Sequence, residues 1–185
     1  MAAKKKTASR KAPSLEWCKD TKVVDAEGAP LVLYHGGALV DALEPSEWGA
    51  FGAGIYMTPS RALAESYVTT NAGIPVGVTE AYACIKQPLL VFAGSGIEQG
   101  LVTALAPFFP LASLRERLKR NSMLRGKGTV YGGIVPLLAT SAGFDGVFVT
   151  GHSPGIFPPK RYFERVSNFI GEVIVFEDAQ LLRAK

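Results

Sequence analysis

The apolar residues of this chain fall into short runs that are separated by glycine, proline and polar residues. The run from Leu31 to Tyr34 is rich in strand formers and predicts a β-strand that ends at the following His-Gly-Gly sequence. A glycine-containing turn precedes a second predicted strand, Ile55 to Thr58. Ser60 is typical of a helix start, and the apolar spacing beyond it predicts a helix that continues to Tyr67. Side chains on these three elements are therefore expected to meet in one cleft.

The rest of the pattern mixes strands and helices without a regular alternation, which favours an α+β fold over a doubly wound sheet. Helical apolar spacing predicts helices over 97–109, 111–124 and 130–141. Pro136 is expected to kink or shorten the last of them. Alternating or continuous apolar runs predict strands over 79–85, 89–92, 147–149, 162–166 and 172–176.

Composition limits the class of protein. At 185 residues and 48% hydrophobic content, the chain is long enough for one domain with a sizeable core. No apolar run approaches the ~18 residues that a membrane-spanning helix needs, and no apolar segment follows the basic start as in a secretory signal. Two cysteines, Cys18 and Cys84, are too few for a disulfide framework. We therefore expect a cytoplasmic protein with reduced cysteines and no contact with a membrane.

The formal net charge of +4 arises mainly from two segments. The first eleven residues carry five Lys and Arg residues without a large apolar anchor, so residues 1–13 are predicted to be a disordered basic tail. The folded domain is then expected to span 14–185. A second cluster of cations runs from Arg115 to Arg125. It is either the solvated face of a helix or a contact surface for an acidic partner or a nucleic acid.

Four motifs resemble those of one enzyme family. They are Asp-Ala-Glu-Gly-x-Pro-Leu-Val-Leu-Tyr-His-Gly over 25–36, Gly-Ile-Tyr-Met-Thr over 54–58, Gly-Phe-Asp-Gly-Val-Phe-Val over 143–149 and Glu-Val-Ile-Val-Phe-Glu-Asp-Ala-Gln-Leu over 172–181. In this order they resemble the His-Tyr-Glu class of ADP-ribosyltransferases, which includes diphtheria-type toxins and poly-ADP-ribose polymerases. Within that class, the likeness is to the branch found in phage and mobile-element polyvalent proteins. The resemblance implies a split β-sandwich of two small antiparallel sheets with flanking helices, and an NAD cleft between the sheets.

The resemblance also implies roles for five residues. His35 matches the histidine that hydrogen-bonds the adenosine ribose of NAD, and Gly36 matches the residue whose backbone holds the nicotinamide carboxamide. Tyr56 and Tyr67 match the aromatic pair that sandwiches the nicotinamide ring. Glu172 matches the catalytic glutamate that binds the 2′-hydroxyl of the nicotinamide ribose. His35, Tyr56 and Glu172 form the expected catalytic set, with NAD as a substrate and no metal.

These residue types suit the chemistry that the resemblance implies. Breaking the bond between nicotinamide and ribose develops positive charge on the ribose, which a nearby carboxylate stabilises. Stacking on two aromatic rings holds the planar leaving group, and each aromatic pair contributes about 0.5–1.5 kcal/mol beyond the area that it buries.

Two positions depart from the family pattern. Gly37 stands where a Thr or Ser usually follows the His-Gly pair, and Ala64 stands where the polymerases carry a Ser that bonds the carboxamide. At position 64 the diphtheria-type toxins look similar to this chain. No equivalent of the polymerases' lysine or elongation loop is recognisable in the sequence. The resemblance therefore implies transfer of a single ADP-ribose to an acceptor, which is expected to be a protein or else a nucleic acid.

Alternative interpretations remain for several of these features. Glu164 and Glu177 are rivals of Glu172, which is preferred because an apolar strand follows it directly. The sequence over 151–155 spells the G-x-S-x-G nucleophile elbow, but its prolines oppose a helix and no histidine follows Ser153, so a hydrolase is excluded. The competing function is that of a catalytically inactive module, which keeps the fold to bind a protein or a nucleic acid.

Overall fold

The computed structural model describes residues 16–25, 27–68, 73–125, 128–150 and 171–184. In these residues the chain forms nine strands and four α-helices. In chain order they are β1 (Leu33–Ala38), β2 (Ile55–Met57), α1 (Arg61–Ser66), β3 (Val76–Ala83), β4 (Pro88–Phe92), α2 (Ile97–Leu105), α3 (Leu111–Arg120), β5 (Met123–Arg125), β6 (Gly128–Val130), α4 (Ile134–Ser141), β7 (Gly146–Thr150), β8 (Glu172–Val175) and β9 (Leu181–Arg183).

The strands form two main sheets and a hairpin, so the predicted α+β class is confirmed. The first sheet has the order β1-β3-β9 and is antiparallel throughout. The second has the order β2-β8-β7-β4, and β5 pairs with β6 in a separate hairpin. One pair differs from the prediction of two antiparallel sheets, because β4 runs parallel to β7. A parallel pair needs a long crossover, and α2, α3, the hairpin and α4 supply it.

Two apolar cores lie on opposite faces of the second sheet. One core lies between the two sheets and includes Leu33 of β1 together with Val173 and Val175 of β8. The other lies between the second sheet and the helices, and includes Ile174 of β8 with Leu138 of α4. Successive side chains of a strand point to opposite faces, so β8 must be apolar at every position after its first residue. This explains the continuous Val-Ile-Val run that follows Glu172.

Several element boundaries differ from the sequence predictions. β1 does not end at His35 but continues through two glycines to Ala38, because Gly36 and Gly37 pair with β3 opposite Val78 and Gly77. Strand pairing therefore overrides the low strand propensity of glycine. α2 ends earlier than predicted, at Leu105, and the predicted helix over 111–124 divides into α3 and β5.

The helix predicted over 130–141 is shortened, which is one of the two outcomes expected of Pro136, because α4 begins only at Ile134. Proline is tolerated in the first turn of a helix, where its missing N–H has no partner to lose. The predicted basic tail, the G-x-S-x-G segment and the predicted strand over 162–166 lie outside the described residues.

Two observations concern the expected cellular environment. Cys18 and Cys84 form a disulfide with a Cα–Cα distance of 5.5 Å, so the prediction of two reduced cysteines is wrong. A single pair of cysteines 66 positions apart gives no sequence signal of contact, because only the fold places the segment before β1 against the end of β3. None of the described helices is long and apolar enough to cross a membrane.

Candidate active site

The five residues singled out by their motifs all line one cavity. This cavity has a volume of about 620 Å³, which falls in the range of typical ligand sites. His35 and Gly36 reach it from the first sheet, whereas Tyr56 and Glu172 reach it from the second, and Tyr67 closes it from the end of α1. Residues that are up to 137 positions apart in the chain thus share one site, which their spacing alone does not require.

His35 connects the two sheets at the cavity. Its Nδ1 lies 2.9 Å from the backbone carbonyl oxygen of Tyr56, which is on β2. A carbonyl oxygen only accepts, so Nδ1 carries the proton, and in the neutral ring Nε2 is left as a hydrogen-bond acceptor. The imidazole is therefore oriented by the second sheet, and it can accept a hydrogen bond from a hydroxyl group.

Gly36 is required by the packing of α1. A Cβ atom at this position would lie 1.8 Å from the carbonyl oxygen of Ala64, so the helix backbone rests directly on β1. The sequence attributed this glycine to close approach of the ligand, and the structure adds a reason within the protein itself. α1 is short, and the Ser60 hydroxyl caps it by accepting a hydrogen bond from the Leu63 N–H at 3.2 Å, which confirms the predicted start.

Tyr56 holds the loop that forms another wall of the cavity. Its hydroxyl donates to the Gly52 carbonyl at 2.8 Å and accepts from the Phe51 N–H at 2.9 Å. A Cβ atom at Gly49 would lie within 2.1 Å of the tyrosine ring, so the loop packs tightly against that ring. Burial, and secondarily the negative charge of Glu172, raise the pKa of Tyr56 far above its ordinary value. The phenol therefore stays protonated, and its hydroxyl is engaged with the protein backbone.

Glu172 is the first residue of β8, opposite Val149 of β7. Burial raises the pKa of its carboxyl from 4.5 to about 7. No described residue donates a hydrogen bond to this carboxylate or pairs with it. A desolvated carboxylate is suited to stabilising a positive charge that develops in a ligand.

Of the two alternative catalytic glutamates, the structure describes only Glu177. Glu177 is exposed and takes part in a capping box with Gln180, away from the residues that line the cavity. Glu164 lies outside the described residues. Of the acidic residues that the structure describes, Glu172 lines this cavity and Glu177 does not.

Tyr67 lies at the mouth of the cavity. It is the C-cap residue of α1 and remains 55% exposed. Partial burial, followed by the charge of Glu172, raises the pKa of its phenol. The charge of Glu172 thus contributes to the raised pKa of both tyrosines, and all three side chains line the same cavity.

One wall of the cavity was not predicted from the sequence. Ser46, Trp48 and the residues up to Phe51 also line it. The Trp48 side chain is 51% exposed, and its backbone N–H is 3.2 Å from the Ser46 hydroxyl oxygen. The available signal was a large aromatic residue in a polar, glycine-containing segment, where no core position is expected.

The described residues contain no group of three or more His, Cys, Asp or Glu side chains that could hold a metal ion. A family model described as "ADP-Ribosyltransferase in polyvalent proteins" matches residues 25–185, which is most of the chain and includes every element of the site. No curated protein matches the chain.

Proposed function

The chain belongs to the family of ADP-ribosyltransferase domains of polyvalent proteins, and we propose that it transfers ADP-ribose from NAD to a macromolecular acceptor. The observation that supports this function is the convergence of His35, Gly36, Tyr56, Tyr67 and Glu172 on one cavity. The same five positions match the binding and catalytic residues of the His-Tyr-Glu class. The family match and the cavity are independent observations, because the match does not depend on side-chain positions.

In this proposal the cavity binds the nicotinamide end of NAD as a substrate. The rings of Tyr56 and Tyr67 stack on the nicotinamide, and the backbone of Gly36 bonds its carboxamide. His35 accepts a hydrogen bond at Nε2 from a hydroxyl of the adenosine ribose. The hydrogen bond from Nδ1 to the second sheet fixes the ring for this task.

The reaction breaks the bond between the ribose C1 and the nicotinamide nitrogen, and the electron pair leaves with nicotinamide. Glu172 stabilises the positive charge that develops on the ribose and orients the ribose through its 2′-hydroxyl. An oxygen or nitrogen nucleophile of the acceptor forms the new bond to C1 and releases its proton to solvent. Ala64, which lines the cavity where the polymerases carry a Ser, is in keeping with transfer of a single unit.

Release of free nicotinamide tests this function. The purified full chain is incubated with NAD at pH 8, and nicotinamide is measured by chromatography for the wild type, Glu172→Gln and Glu177→Gln. Glu172→Gln should lower turnover by about a hundredfold or more, since one preorganised charge-stabilising group contributes about 3 kcal/mol. Glu177→Gln is the matched control, because it removes the same charge from an exposed position.

Two results would count against this proposal. Nicotinamide release that is equally low in the wild type and in Glu172→Gln, despite NAD binding, would indicate an inactive binding module. A loss of activity in Glu177→Gln alone would show that the catalytic carboxylate has been assigned to the wrong residue.

A further inference from the structure

α3 presents an unusual concentration of positive charge. It buries Leu114 and Leu118 against the helical core and exposes its remaining side chains. Four of these exposed residues are cations, namely Arg115, Arg117, Lys119 and Arg120, and the single acidic residue is Glu116, which forms an ion pair with Arg120. The sequence by itself is compatible with an ordinary solvated face for these residues. Such a face usually carries charges of both signs in similar numbers, which α3 does not.

The surroundings make this charge distinctive. Outside α3, acidic residues clearly outnumber Lys and Arg among the described residues. Two of those other cations are also engaged in ion pairs, Arg61 with Glu80 and Arg183 with Asp178. Within the described residues, an anionic partner is therefore attracted to α3 and repelled by much of the other surface.

Two shallow pockets run along α3. The first has a volume of about 660 Å³ and is lined by Arg115, Gln99 and Thr129, among others. The second, of about 380 Å³, is lined by Arg120 and Asn121 at the end of the helix. Tyr131 lines both pockets, so we treat them as one groove, the α3 groove. Its walls carry two guanidinium groups, two carboxylates (Glu98 and Glu47) and several hydrogen-bonding side chains. The excess of positive charge that suits phosphates therefore comes from the four cations of α3 taken together and not from the pocket walls alone.

The α3 groove approaches the candidate active site. Glu47 lines its second pocket, whereas the adjacent Ser46 and Trp48 line the cavity that contains Glu172. The Ala53 N–H donates to the Gly132 carbonyl at 2.6 Å, which holds this loop against the floor of the groove. A single loop therefore separates the groove from the cavity, and the half-exposed Trp48 of this loop lines the cavity.

We propose that the α3 groove binds a single-stranded nucleic acid and that this strand is the acceptor of ADP-ribose. The guanidinium groups of the arginines bind the phosphates, and the half-exposed ring of Trp48 offers a stacking surface for a base. The strand must be unpaired because an acceptor base has to reach the ribose C1 beside the bound nicotinamide, and a base held in a duplex cannot do so without leaving the stack. The acceptor role rests on the proposed function, whereas binding to the groove does not.

The test measures binding without NAD. A fluorescein-labelled single-stranded oligonucleotide is titrated with the full chain between 50 and 200 mM salt, and anisotropy gives the affinity. The charge variant is Arg115→Gln/Lys119→Gln/Arg120→Gln. Arg117 is kept because its guanidinium lies over the Phe109 ring at 6.0 Å. The control is Lys19→Gln/Lys22→Gln/Lys86→Gln, which removes the same charge from exposed positions on other segments.

The expected result follows from counterion release. Each phosphate contact contributes about −0.7 to the slope of log affinity against log salt for single strands, so three contacts contribute about −2. The charge variant should lose this part of the slope and bind the oligonucleotide roughly tenfold or more weakly at 50 mM salt. The control should retain the slope and the affinity of the wild type.

Three results would overturn the inference: no binding by the wild type, an equal loss in both variants, or equally tight competition by polyglutamate. The third would indicate an acidic protein as the partner. Nicotinamide release, measured in parallel, separates the two proposals. Intact release without oligonucleotide binding refutes the groove and leaves the proposed function standing. Binding as expected without release refutes the acceptor role and the proposed function, and leaves the binding surface.

Discussion

Replacing Glu172 by Gln is predicted to make the unliganded protein more stable while it abolishes activity. The carboxyl has a pKa of about 7 in the folded protein and 4.5 as its ordinary value. Folding therefore favours the protonated acid. The stability that the protonated carboxyl contributes is fully present below pH 4.5 and is lost as the pH rises through 7. Gln resembles the neutral acid in shape and does not titrate, so it keeps this contribution at every pH.

The magnitude follows from the two pKa values. At 1.36 kcal/mol per pH unit, ionising the buried carboxyl at pH 8 costs roughly 3 kcal/mol of folding free energy, whereas the cost at pH 5 is below about 1 kcal/mol. The free energy of unfolding of Glu172→Gln should therefore exceed that of the wild type by an amount that grows by about 2–3 kcal/mol from pH 5 to pH 8. A constant difference between the two proteins would instead reflect contacts unrelated to ionisation.

Urea denaturation followed by circular dichroism at pH 5, 6, 7 and 8 measures this difference. The control is Glu177→Gln, since Glu177 is exposed and shows no burial that would couple its charge to folding. Nicotinamide release by the wild type should fall as the pH drops below about 7, because the carboxylate form is required. If the stability difference does not change with pH, the reasoning about a desolvated catalytic carboxylate is refuted.

Two further predictions concern the walls of the cavity. Tyr56→Phe should lower the free energy of unfolding by about 1–3 kcal/mol, because two buried backbone groups lose their hydrogen-bond partner. Tyr67→Phe is the control and should leave the free energy of unfolding unchanged. Equal denaturation midpoints for the two variants would contradict this prediction. Gly36→Ala should displace α1 and weaken NAD binding measured by calorimetry, because its Cβ would meet the helix backbone at 1.8 Å. Gly133→Ala has open space around it and should bind as the wild type does, so similar affinities in both variants would refute the packing argument.

The prediction for Tyr56 concerns the stability of the fold and not the ligand. Stacking on nicotinamide would need only the aromatic ring, so Phe is still expected to be tolerated for NAD binding. The structure shows that the hydroxyl anchors the cavity wall through Phe51 and Gly52. Ligand binding and loop anchoring thus depend on different parts of one side chain, and sequence motifs describe only the first.

The sequence predicted those features that depend on local patterns. The start of α1 followed from a capping serine, and the buried β8 followed from an unbroken apolar run after Glu172. The motif order correctly indicated which residues would share a cavity. The features that it missed depend on pairing between distant segments. The extension of β1 through glycines, the parallel pairing of β4 and the Cys18–Cys84 disulfide each require a partner that only the fold supplies.

The position of Glu172 also affects how the site moves. β8 is paired on both sides, with β2 and β7, and the residues after Glu172 are buried in both cores. Amide hydrogens of such a strand exchange only when the whole domain opens. Tyr67 ends a six-residue helix and Trp48 lies on a loop, so both belong to segments that open locally at lower cost. The carboxylate is thus attached to a doubly paired strand, whereas the aromatic walls of the cavity belong to its less stable segments.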